Sequence, residues 1–341
     1  MHLPNNDESL RFDEWMSRAL YGPTGFYTVT GQAGRRGDFL TSPEVGPLFG
    51  AVVARAIDDE WKRLGRPEEF HVVEVGAGPG TLARAVLDAT SEVQRSGALR
   101  YCCVELSLAQ RAKHPAEVDS RDILPNGPIV GVILANELLD NLPFRLAVWD
   151  DGWREASVVE REGRSLETLV SLADVPRFLP TSGVRLGARA PLQDAAAQWV
   201  LDAQQRISRG RVIVIDYCVA VTASLAMRPW REWLRTYRQQ QRGEHYLDAP
   251  GTQDITTEVC IDQLAAVAGE PDAVRTQAQW LQRWGIDELV DEGRLWWEAA
   301  AHAPDLRAIK GRSRVRESEA LLDPAGLGAF TVLEWVVDRN T

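Results

Sequence analysis

The feature that most constrains this chain is Val72-Val-Glu-Val-Gly-Ala-Gly-Pro-Gly-Thr81, an apolar β-branched run ending in a Gly-x-Gly-x-Gly turn. The run opens at Phe70 and reads as a buried parallel strand, with a helix over Thr81 to Ala89 behind the turn. Gly76 permits the tight turn, and Gly78 removes the Cβ that would keep a ligand from the backbone. Dinucleotide binders prefer Gly-x-Gly-x-x-Gly, with a pyrophosphate on the helix N-terminus. Here the third glycine, Gly80, comes one residue early, and Pro79 removes a backbone donor that a phosphate would use. Both departures favour a nucleoside cofactor without phosphates and disfavour a nicotinamide-dependent dehydrogenase.

The remaining chain supplies the partners of that strand. Phe12, Trp15, Met16, Ala19 and Leu20 recur at helical spacing, and Phe49 to Leu64 reads as a second helix. Strands are expected at Arg100 to Leu106, Ile129 to Ala135 and Arg211 to Tyr217, with helices at Leu108 to Lys113 and Pro191 to Ser208. Alternating strands and helices imply a doubly wound, mostly parallel α/β sheet. Arg145 to Trp149 and Arg154 to Glu160 flank Asp-Asp-Gly, a hairpin signal. The Gly/Pro/Arg-rich stretch from about Glu160 to Ala190 breaks the rhythm. The expected organisation is therefore a cap over 1–68 packed on a core over 69–341, with a substrate-side insertion at about 141–190 before the fifth core strand.

Chemistry belongs at the carboxyl ends of these strands. Glu105 closes the second strand, where a carboxylate can take both hydroxyls of a ribose. Asp122, after a short third strand, is a candidate for orienting an adenine. The fourth strand runs directly into Asn136-Glu-Leu-Leu-Asp-Asn-Leu-Pro143. Asn136 offers a carbonyl acceptor to an N–H nucleophile, while Glu137 and Asp140 could clamp a guanidinium. Methyl transfer from a sulfonium asks for this kind of positioning. His245 is a candidate general base on a cofactor-side loop.

Composition sets outer bounds. The balance of 45% hydrophobic and 26% charged residues is that of an ordinary globular chain. The net charge of −11 argues against nucleic acid or an anionic membrane as main partner. Cys102, Cys103, Cys218 and Cys260 lack metal-ligand spacing, so no metal is expected and the thiols read as reduced. The residues from Met1 to Ser9 lack signal-peptide character, and the expectation is a cytoplasmic protein.

Several segments together resemble the MidA-like methyltransferase family. They include Tyr21-Gly-Pro-Thr-Gly-Phe-Tyr27, Gly37-Asp-Phe-Leu-Thr-Ser-Pro-Glu-Val45, Glu74 to Leu82, Val104-Glu-Leu-Ser107 and Asn136 to Pro143. Ile215-Asp-Tyr217, Gly251-Thr-Gln-Asp-Ile-Thr256 and Leu281-Gln-Arg-Trp-Gly-Ile286 extend the likeness over nearly the whole chain. The resemblance implies a class I, Rossmann-like methyltransferase using S-adenosyl-L-methionine. It implies cofactor positions at Gly76, Gly78, Gly80 and Glu105, with Glu74 and Ser107 in the same segments. It also implies a lid or substrate channel involving Asp38, Thr41, Ser42 and Glu44, with Asp254 nearby. The family includes an enzyme that methylates a protein arginine, so the acceptor is expected to be a partner protein. A small-molecule acceptor, a non-catalytic assembly role and a homodimer all stay open.

Overall fold

The structure, a computed structural model, describes residues 9–29, 41–238, 241–300 and 302–339. Its centre is a seven-stranded sheet, whose strands we number in chain order. They are β1 (Phe70–Val75), β2 (Leu99–Val104), β3 (Asp119–Arg121), β4 (Ile129–Asn136), β5 (Ile207–Asp216), β6 (Ala273–Thr276) and β7 (Thr331–Asp338). The spatial order is 3-2-1-4-5-7-6. All strands are parallel except β7, which runs antiparallel to both β5 and β6. The winding direction reverses between β1 and β4, which opens a crevice at their carboxyl ends.

Period-two alternation gives each face its own core. Phe70 and Val72 point to one side, with the helices Pro47–Arg63 and Thr81–Asp88. Val73 and Val75 point to the other, against Asp194–Arg206 and Ile261–Ala268. Each large apolar side chain buried this way contributes about 1.5–3 kcal/mol. Two glycines let the central strands close up. A Cβ on Gly131 of β4 would sit 1.9 Å from the His71 carbonyl oxygen of β1, and one on Gly210 of β5 would sit 1.7 Å from that of Gly131.

An ionic network crosses one face. Arg211 of β5 bonds Glu60 of the helix Pro47–Arg63 at 2.6 Å and Glu334 of β7 at 2.8 Å, and Arg275 adds a second contact to Glu334. Burial pushes the Glu60 carboxyl up, but hydrogen bonds from Arg63 and Arg211 outweigh it and hold the group below its ordinary value.

Four strands between Arg145 and Leu192, joined by the short strand Leu10–Arg11, form a second sheet. Arg145–Trp149 and Trp153–Arg161 form the expected hairpin. A third strand, Arg164–Ser171, lies inside the stretch read as irregular. Its two-residue turn, Glu162-Gly163, has positive φ at both positions, as a type I′ hairpin requires. The helix expected at Pro191 to Ser208 is shorter, Asp194–Arg206. Pro191 instead belongs to the strand Arg189–Leu192, and the chain is already extended at Ile207. The first helix, Phe12–Tyr21, packs with Phe144, Leu146 and Tyr246 beside this second sheet, whereas Pro47–Arg63 packs on the central one.

Candidate active site

A cavity of about 390 Å³ opens at the switch point between β1 and β4, within the size range of small-ligand sites. Gly76, Gly78, Glu105, Ser107, Asp122 and Glu74 line one part of it. Gly78 has φ +53°, and a Cβ there would meet no protein atom within 4 Å, so any larger residue would fill the cradle itself. Gly80 lies outside the wall; its left-handed φ of +76° turns the chain into the helix Thr81–Asp88.

Glu105 is fixed by backbone. Its Oε2 accepts from the Gly78 N–H at 3.0 Å and its Oε1 from the Ser107 N–H at 2.8 Å. Each oxygen keeps a further lone pair, the number two ribose hydroxyls need. Glu74 accepts from the Tyr101 hydroxyl at 2.8 Å, and burial pushes its carboxyl up to about 7. The cavity continues to Leu124, Trp199 and Asp202, the last two on the helix Asp194–Arg206. The residues present fit a phosphate-free nucleoside: the Glu105 carboxylate has acceptor capacity left for a sugar's hydroxyls, and Gly78 leaves room for close approach.

The other part of the cavity is lined by Asn136, Glu137, Asn141, Tyr21, Tyr27 and Thr41. Glu137 has φ +52°, a strained value for a residue with a long side chain, and its N–H bonds the Ile215 carbonyl at 2.8 Å. Its Oε1 accepts from Asn136 Nδ2 at 3.1 Å and from the Ser42 N–H at 3.4 Å. Burial, and then the charge of Asp216, push its carboxyl up to about 8. Asn136 Oδ1 is buried and has no hydrogen-bond donor among the described residues. Glu44 accepts from Thr81 at 2.8 Å, joining the segment after residue 41 to the glycine-loop helix.

Besides Gly80, four predicted residues sit off the cavity wall. Asp140 is buried behind the wall, because the 3-10 turn Leu139–Asn141 turns Asn141 towards the cavity instead. Burial and the neighbouring carboxylates Asp216, Asp254 and Glu137 hold Asp140 well above the ordinary aspartate value, but it does not line the cavity in which a cation would bind. Asp254 also lies behind the wall, accepting from Tyr27 at 2.9 Å and Asn141 at 3.2 Å. Ser42 turns its hydroxyl to Gln277 at 2.9 Å. His245 packs against Tyr246 and Trp230 away from the cavity, and burial lowers its basicity. Asp38 lies outside the described residues.

Sequence reasoning missed the part played by Asp216. It accepts from the backbone N–H groups of Leu139 (2.9 Å), Asp140 (3.3 Å) and Tyr217 (2.8 Å), so it pins the turn that carries Asn141. Burial raises it to about 7. Its segment and those of both tyrosines stood among the family motifs, which was the available signal.

A doubly wound sheet with one antiparallel strand, and a nucleoside cleft at its switch point, define a class I methyltransferase. The profile of S-adenosyl-L-methionine-dependent methyltransferases matches residues 52–279, and the chain belongs to that family. Its cofactor is S-adenosyl-L-methionine. A Burkholderia thailandensis superfamily member crystallised with S-adenosyl-homocysteine is 26% identical, with a TM-score of 0.81 over 98% of this chain and 89% of that one. The chain is also similar to the mitochondrial protein arginine methyltransferase NDUFAF7 of Bos taurus, 32% identical over 80% of this chain and 69% of the relative. The Drosophila melanogaster homolog is 26% identical over 92% and 78%. These relatives carry a mitochondrial name, so the cytoplasmic expectation finds no support in them. Among the described residues, no helix is long and apolar enough to cross a membrane.

Proposed function

We propose that the chain transfers a methyl group to an arginine nitrogen of a partner protein. The observation that carries this reading is the pair of acceptors at one end of the cavity. They are the donorless Asn136 Oδ1 and the Glu137 carboxyl, raised to about 8. Both call for an N–H-bearing cation, because an arriving guanidinium supplies donors to one and positive charge to the other. The names of the relatives, protein arginine methyltransferases, support the same acceptor.

S-adenosyl-L-methionine, when bound, supplies an electrophilic methyl on a sulfonium. Gly76, Gly78 and Glu105 would hold its nucleoside part, with Asp122 beside it. Asn136 would orient the attacking nitrogen along the line of displacement. Glu137, ionised by the approach of the guanidinium, would take the proton that the methylated nitrogen gives up. Asp216 and Asp254 act indirectly, by holding the turn and Asn141 in place.

Incubation of the chain with methyl-labelled cofactor and arginine-bearing proteins or peptides, followed by acid hydrolysis, should yield methylarginine. Label confined to the low-mass fraction would replace this reading with a small-molecule acceptor. Catalysis itself is tested by Asn136→Ala and Glu137→Ala, which should abolish transfer.

A further inference from the structure

We infer that Tyr21 and Tyr27 form an aromatic wall that selects a planar cation at the acceptor end, an inference that rests on the arginine reading above. Both rings line the cavity together with Asn136 and Glu137. They stack at a centroid separation of 5.5 Å and an interplanar angle of 15°. Their hydroxyls are tied to the turn Leu139–Asn141 and to the strand Asp254–Thr256. Tyr21 donates to the Asn141 carbonyl at 3.1 Å, and Tyr27 donates to Asp254 Oδ1 at 2.9 Å. Phe26, fully buried against Tyr27 with centroids 5.1 Å apart, props the pair from below. Burial and the charge of Asp254 hold both phenols well above the ordinary tyrosine value, so the rings stay neutral and electron-rich.

This combination is specific in what it accepts. A guanidinium is flat, weakly hydrated and always charged, so it can lie against a ring face while its edge meets the two acceptors. A lysine ammonium is compact and strongly hydrated, and it gains less from a flat wall. The wall comes from the segment before residue 30, the acceptors from the end of β4. Specificity therefore depends on two parts of the chain more than a hundred residues apart. The hydroxyl bonds hold the rings in place and the ring faces do the selecting, so the two contributions can be separated by substitution.

The test uses the full chain, a Gly-Arg-Gly peptide and its Gly-Lys-Gly counterpart. S-adenosyl-homocysteine titration serves as the measure of an intact fold and cofactor end. Tyr21→Leu should raise KM for the arginine peptide about tenfold, with S-adenosyl-homocysteine affinity within twofold of the wild type. Tyr21→Phe and Tyr27→Phe, which keep the ring face, should retain most of the wild-type KM. A Tyr21→Leu enzyme with unchanged KM overturns the wall while leaving the arginine reading in place. A Tyr21→Leu enzyme that loses S-adenosyl-homocysteine affinity, while Tyr21→Phe keeps it, assigns the ring to the cofactor and also overturns the inference. A wild-type enzyme that methylates the lysine peptide and ignores the arginine one overturns both readings.

Discussion

The two ends of the cavity are built on opposite principles. The cofactor end is made of backbone: a bare glycine, a left-handed turn and a carboxylate fixed by two N–H groups. The end proposed to take the acceptor is made of half-buried side chains: a carboxyl raised to about 8 on a residue at φ +52°, and an amide oxygen without a donor among the described residues. The first is held in place by backbone before any ligand arrives, whereas the second, on the proposed reading, is completed by the ligand itself. Recognition of an invariant molecule and recognition of a reacting one make different demands, and here the same strand ends meet both.

The comparison breaks most visibly at Glu137. Glu137→Gln keeps the shape but removes the proton acceptor, so kcat/KM should fall about a hundredfold or more, with S-adenosyl-homocysteine affinity unchanged by calorimetry. Equal losses in both measurements would erase the distinction between the ends. Glu105→Ala is the reciprocal change and should weaken S-adenosyl-homocysteine binding about 10- to 100-fold in the same titration. The pH profile should differ from that of a neutral-acting base. Glu137 is protonated below about 8, so kcat/KM should rise with pH, by up to about tenfold per unit below that value, and level off above it. A flat profile from pH 6 to 9 would remove Glu137 from the chemistry. The smallest effect should come from Asp216→Asn. It removes the charge that helps raise Glu137, so the rising limb should move about one unit or less to lower pH. An upward shift would contradict the electrostatic account.

Legibility in the sequence followed the same division. The glycine turn and Glu105 could be read because each sits at the end of one strand and its chemistry depends on neighbours in sequence. Asn136 and Glu137 were visible for that reason too. Asp140 was misplaced because adjacent residues in a 3-10 turn face different ways, and only the folded turn shows Asn141 at the wall. The bonds joining Tyr27 to Asp254 and Asn141 to Asp254 span 227 and 113 residues, and no local pattern announces them. His245 stands nine positions before Asp254 in the chain, yet the fold turns it into an aromatic cluster. The strand Arg164–Ser171 escaped notice because its alternation is weak and both its faces stay largely open.

The contact between Gly131 and His71 has a further consequence. The cleft opens between β1 and β4, so its width depends on how tightly those two strands are laced. One methyl group at Gly131, roughly 16 Å along the strand from Asn136, would wedge them apart without touching any ligand. Such a protein could keep every catalytic side chain and still fail, because the jaws that hold donor and acceptor in line no longer meet at the right gap.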